Sequence, residues 1–118
     1  MVRRLLLAAL MATPVAPALA QDTPPPMQTF GEFVELCAKT DEPVAMAFCE
    51  GYILGNGHLY LELRNAGAVR DWACANPIPT LEEIRVRIVE WGRAHPEQAK
   101  AKPVDGVWQA AAAIWPCS

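Results

Sequence analysis

Four cysteines, two histidines and a scatter of carboxylates are the groups in this 118-residue chain that could do chemistry. Cys37, Cys49, Cys74 and Cys117 are even in number, and no two lie closer than 12 positions. Structural zinc sites draw their ligands from close pairs, so this spacing disfavours zinc. There is no Cys-x-x-Cys pair for redox or haem chemistry, which leaves two structural disulfides. His58 and Glu62 stand four apart, a spacing that would put both on one helix face beside a metal ion. No third ligand accompanies them, and the pair reads as a solvated face. His95 precedes Pro96 and reads as a helix cap at a corner. Ser118 is the only serine, which removes a serine triad. No metalloprotease His-Glu-x-x-His, phosphate-cradling glycine loop or nucleophile elbow occurs. The residue types therefore predict no catalytic site, no cofactor and no metal.

Four helices are predicted to carry these residues, making an all-α domain. Helix 1 should run from Phe30 to about Lys39. Thr29 and Glu32 have capping-box spacing, and Phe30, Phe33, Val34 and Cys37 form one apolar stripe. Thr40 to Pro43 is a turn, with Pro43 suited to a first helical position. Helix 2 follows from about Pro43 to Arg64, with Ala45, Phe48, Cys49, Tyr52, Leu59 and Leu63 on one face. Leu59 to Leu63 alternates weakly, which leaves a strand open there. Asn65 to Pro79 reads as a long loop. Thr80 and Glu83 repeat the capping-box spacing and open helix 3, whose buried stripe is Leu81, Ile84, Ile88 and Trp91, helped by Val89. Glu82, Glu83 and Glu90, interleaved with Arg85, Arg87 and Arg93, read as its solvated side. Helix 4 spans Pro103 to Trp115, with Val104, Val107, Trp108, Ala111 and Trp115 on one face and Pro116 stopping it.

Four cysteines allow three pairings. The helix reading favours two bonds. The tight turn at residues 40–43 brings Cys37 near Cys49, and an antiparallel hairpin of helices 3 and 4 brings Cys117 near Cys74.

The N-terminus adds an address. Arg3-Arg4, the apolar run Leu5 to Ala12 and the small residues Ala18-Leu19-Ala20 have the form of a cleaved secretory signal. Only leucines follow the arginine pair, so ordinary Sec export is preferred to the twin-arginine route. Residues 1–20 are thus a predicted signal peptide, 21–28 a disordered leader containing Pro24-Pro25-Pro26, and 29–118 the folded domain. Cleavage removes two arginines and no carboxylate, taking the formal charge from −3 to −5. That balance excludes an ordinary nucleic-acid binder. No later apolar run reaches the roughly 20 residues of a membrane helix.

Two features have the look of a binding surface. Gly51, Gly55 and Gly57 interrupt helix 2, each costing about 1 kcal/mol against alanine. Close packing against another helix, a kink, or a surface approached by a partner's backbone would each justify them. Trp72 stands in the long loop, either exposed to a partner or packed over Cys74, whereas Trp91, Trp108 and Trp115 fit helix stripes.

The run Cys49-Glu50-Gly51-Tyr52-Ile53-Leu54-Gly55 resembles the Cys-x-Gly-Tyr-Ile-x-Gly signature of the Rap/Tai immunity family. Cys74 ahead of a Thr80-led helix, then His95-Pro96-Glu97, then Trp115-Pro116-Cys117 resemble the rest of that pattern, from about Phe30 to Cys117. The resemblance implies a helical, disulfide-bonded periplasmic protein associated with type VI secretion, often a homodimer. It also implies that the protein binds and neutralises a secreted peptidoglycan amidase. On that reading Glu50, His58, Arg64, Arg70 and Trp72 are the candidate contacts, chosen by the helix 2 glycines and the long loop. A charge of −5 would speed association with a basic toxin. Alanine-rich stretches at Gln98 to Lys102 and Ala110 to Ala113 depart from the family pattern.

Two other readings compete. A periplasmic acid-stress chaperone of the HdeA type is also small, helical and disulfide-held, and protonation of carboxylates would drive such a chain strongly positive in acid. An orphan periplasmic binding protein of the same fold would have no toxin at all.

Overall fold

The computed structural model describes residues 27–118. The predicted signal, 1–20, and all but the last two residues of the predicted leader lie outside the described residues. Four α-helices follow: α1 Phe30–Cys37, α2 Pro43–Asn65, α3 Leu81–Ala94 and α4 Pro103–Ile114, with a 3-10 turn at Pro96–Gln98. No strand forms among the described residues, and residues 59–63 lie inside α2.

The helix starts follow local chemistry. The Thr29 hydroxyl accepts the Glu32 N–H at 3.2 Å, while the Glu32 carboxylate accepts the N–H groups of Gln28 at 2.8 Å and Thr29 at 2.9 Å. Thr80 and Glu83 repeat this reciprocal pair at 2.7 and 3.2 Å. Helices α2 and α4 begin at Pro43 and Pro103 with no side-chain cap. Proline suits that position because its missing N–H would have had no partner.

The core is built around α1. At 8 residues it is too short to persist alone, so packing must hold it. Phe30, Phe33, Val34 and Cys37 are all buried, and α1 packs against the other three helices. Its first turn is tied down by two further bonds: the Phe30 N–H donates to the Ala101 carbonyl and the Gly31 N–H to the Ala99 carbonyl, both at 2.9 Å. Gly92 and Gly106 let α3 and α4 approach. A Cβ at Gly92 would run into Val34, and one at Gly106 into the Cβ and ring of Phe30.

Three stripes differ from the sequence expectation. In α2 the buried positions are Ala45, Cys49, Ile53 and Tyr60, whereas Phe48 and Leu59 are exposed. Cys49 is fully buried in its bond to Cys37, and that fixes the rotation of the helix. Phe48 lies about 100° round the helix from Cys49 and is turned outward. In α3, Arg85 is buried rather than solvated, at 8% exposure. Its Nη1 donates to the Cys37 carbonyl at 3.1 Å, placing a cation at the carbonyl end of α1, where the helix dipole favours one. In α4 the fully buried positions are Gly106, Val107 and Ala110, because the helix lays its small residues against α1.

Candidate functional site

Both disulfides join the pairs that the helix reading favours. Cys37–Cys49 spans a Cα–Cα distance of 5.2 Å and Cys74–Cys117 one of 4.9 Å. The first staples the end of α1 to the first half of α2. The second fastens the 66–80 loop beyond the end of α4, and the Cys74 N–H adds a bond to the Trp115 carbonyl at 2.7 Å. The loop is further held by Tyr60, whose hydroxyl accepts the Trp72 N–H at 3.2 Å and donates to the Ala73 carbonyl at 3.3 Å.

Most of the signature residues serve architecture. Ile53 is core, and Tyr52 packs its ring against Phe33 at 5.1 Å and Phe48 at 6.4 Å. Burial raises the Tyr52 hydroxyl above its ordinary value, with Asp105 adding to the effect. His95 caps α3: its N–H donates to the Gly92 carbonyl, its Nδ1 lies 2.7 Å from the Trp91 carbonyl, and its ring stacks on Trp91 at 4.2 Å. Pro96 opens the 3-10 turn and Pro116 follows α4. Gly51 and Gly55 are the exceptions. They are exposed, and a Cβ at either, or at Gly57, would meet nothing within 4 Å. Packing against another of the described helices therefore does not explain them.

What surrounds those glycines is apolar. Val44 (68% exposed), Phe48, Leu54, Leu59 and Leu61 all reach solvent from α2. A helix that is apolar nearly all round is normally covered nearly all round. Among the described residues, only one side of α2 is covered.

The expected contact residues divide between two surfaces. Glu50 is partly buried on α2, and His58 is exposed further along it. Arg64 and Asp71 form an exposed ion pair at 3.6 Å that ties the end of α2 to the loop, with Arg70 exposed beside it. Trp72 is neither a free surface residue nor simply a lid on Cys74: its ring sits between Tyr60 at 4.4 Å and Trp108 at 5.2 Å.

A cleft opens between the second half of α2 and this loop. Its outer part, about 390 Å³, is lined by residues including Leu54, Gly57, His58, Leu61, Arg64, Ile78 and Trp115. An inner recess of about 140 Å³ shares Ile53, Gly57, Tyr60, Ala73, Ile84 and Trp115 with it and reaches Trp72 and Trp108. Across Ile78 lies a second hollow of about 520 Å³, lined by Pro77, Glu82, Val86 and Arg87 among others. Arg87 stands over the Trp115 ring at 5.6 Å. Ile78, 88% exposed, is the most exposed large apolar residue among the described residues. Sequence reasoning passed over it, though its place between Pro77 and Pro79 was a signal, because two flanking prolines keep it out of helix and sheet.

Among the described residues no three His, Cys, Asp or Glu side chains gather to hold a metal, and His58 and Glu62 gain no third ligand. Nor is any described helix long and apolar enough to cross a membrane. The molecule is a helical domain, cross-linked at both ends of its core, that offers apolar surfaces. A family model of Rap1a immunity proteins matches residues 29–117, and the chain belongs to that family. No curated protein and no solved structure matches the chain.

Proposed function

We propose that this protein is a periplasmic immunity protein that binds a secreted, cell-wall-degrading amidase delivered by type VI secretion and neutralises it by occlusion. The family match supports the immunity role, and the export signal read at residues 1–20 supports the compartment. The observation that carries the binding role is α2, a 23-residue helix with apolar residues and the open glycines Gly51 and Gly55 on its uncovered side, and a third open glycine, Gly57, at the cleft. Inhibition of this kind requires a rigid surface and no reacting group, so the protein acts without chemistry of its own. We assign the stripe of Val44, Phe48, Gly51, Gly55 and Leu59 to self-association, the homodimer that the family resemblance implies. The toxin takes the surface formed by His58, Arg64 and the loop.

An acid chaperone must open to expose apolar surface. Two disulfides that pin α1 to α2 and the loop to the end of α4 weigh against that reading.

The test is a pull-down with oxidised residues 21–118 as bait, from periplasmic and secreted fractions of the producing strain. The expected result is a stoichiometric partner with peptidoglycan amidase activity that the bait abolishes at one-to-one ratio. No hydrolase at micromolar bait, with fold and both disulfides verified, would overturn the reading in favour of an orphan binding protein.

A further inference from the structure

The cleft beside α2 combines three properties that its neighbours lack. Its inner recess, about 140 Å³, is walled by aromatic and aliphatic side chains, with Asn56 the one amide among them. An engineered apolar cavity of about 150 Å³ takes benzene, so the recess has the volume of one aromatic ring. Its floor includes Gly57, a glycine in the interior of α2 that lines both the recess and the outer cleft. A Cβ at this position would meet nothing within 4 Å. Any larger residue would favour the helix and would project into the open space, so glycine here keeps the cleft open at a cost to the helix. The third property is charge. The only ionisable side chains lining the outer cleft, Tyr60 apart, are His58 and Arg64, in a chain whose formal charge is −3. Asp71 holds Arg64 through a single exposed contact at 3.6 Å, a weak pair that a better-placed carboxylate can displace.

We propose that this cleft is the anchor site for the toxin: one aromatic side chain of the partner seats in the recess, and a carboxylate beside it on the partner meets Arg64 and His58 at the rim. The proposal rests on the immunity reading for the identity of the occupant. The chemistry of the cleft can be tested without it. A buried aromatic anchor in a pocket, with charge at the rim, is the common form of an interface hot spot. The Cys74–Cys117 bond and the Tyr60 hydroxyl hold the loop wall in place before the partner arrives, which reduces the ordering cost of binding.

The first arm uses N-acetyl-L-phenylalanine as probe, titrated into the oxidised protein to about 20 mM while amide chemical shifts are followed. The expected result is saturable, millimolar shifts confined to residues lining the cleft. Binding of the neutral carboxamide analogue is expected to be roughly threefold weaker, the scale of one exposed charge pair. Arg64→Gln should remove that difference. Gly57→Trp should abolish the shifts while melting no lower than the parent. Absent or scattered shifts, or equal binding by Gly57→Trp, would overturn the assignment. The second arm uses the captured toxin. Gly57→Trp should lose at least tenfold in affinity, the scale of a hot spot, and Gly57→Ala much less. Unchanged inhibition by Gly57→Trp would overturn the toxin as occupant. If the parent protein captures no toxin, the immunity reading fails by itself, and the probe titration still decides what the cleft binds.

Discussion

Gly92 and Gly106 on one side, and Gly51, Gly55 and Gly57 on the other, occupy helices under opposite conditions. The first two are filled from outside, since the Cβ each lacks would collide with Phe30 or Val34. Their helix cost is offset within the monomer by letting α3 and α4 close on α1. The other three face open space, so nothing among the described residues offsets their cost of about 1 kcal/mol each. The comparison teaches that residue type alone does not give a glycine its meaning. Around Gly106 the question is packing inside the fold. Along α2 it is what comes to the fold from outside.

The largest expected effect breaks the scaffold beside the open glycines. Near Gly106 the structure is held by side-chain packing, while the wall of the cleft is held by a bond that closes a 43-residue separation. Replacing Cys74 and Cys117 with serine should cost about 4 kcal/mol by loop-closure entropy, read as a lowered denaturation midpoint. A midpoint unchanged after verified thiol substitution would show that packing alone fixes the loop. Next comes the packed glycine. Gly106→Ala should destabilise by about 3 kcal/mol, because the Cβ and ring of Phe30 have no room to retreat in the centre of the core. If this variant melts like the parent, the distinction between packed and open glycines collapses.

Much of this was legible in the sequence, and the reasons are physical. Capping boxes are local, so Thr29 with Glu32 and Thr80 with Glu83 announced two helix starts unaided. The disulfide pairing followed from a tight turn and a helical hairpin. The rotation of α2 was not legible, because bulky Phe48 and Leu59 drew the apolar stripe toward themselves. In the fold a small residue, Cys49, fixes the buried side. Arg85 reads as a surface cation until the carbonyl end of α1 is seen beside it, 48 positions away in the chain. The cleft was invisible for a similar reason: Gly57, Ala73 and Trp115 come together only in three dimensions.

The open glycines predict the opposite sign. Gly55→Ala should raise the stability of the isolated monomer by about 0.5–1 kcal/mol, since alanine fits the helix and nothing stands in its way. Gly51→Ala should do the same. Both should weaken self-association, measured by sedimentation equilibrium, if the stripe on α2 approaches a second copy closely. Higher stability with unchanged association would leave the glycines unexplained by dimer contact and would sharpen the case for the cleft alone.

Acid should produce the smallest effect and should fall unevenly on the two regions. The Glu32 carboxyl is held below its ordinary value of 4.5, first by the backbone N–H of Gln28 and then by that of Thr29. Glu83 is lowered in the same way, first by the Thr80 N–H and then by its hydroxyl. Both groups therefore bind protons less readily folded than unfolded. Their contribution to stability is complete above pH 4.5 and is lost as pH falls through the depressed values. Because both are exposed at helix starts, the loss should be modest. It should be confined to α1 and α3, since α2 and α4 start without a side-chain cap. Denaturation midpoints at pH 7, 4.5 and 3, compared with those of Glu32→Gln and Glu83→Gln, measure it. The two variants should be less stable than the parent at pH 7, and the gap should narrow as pH falls. Hydrogen exchange at pH 3 should show earlier opening at the first turns of α1 and α3 than at the start of α2. Uniform opening of all four helices, with both disulfides intact, would remove that regional difference and restore the acid chaperone as a competitor.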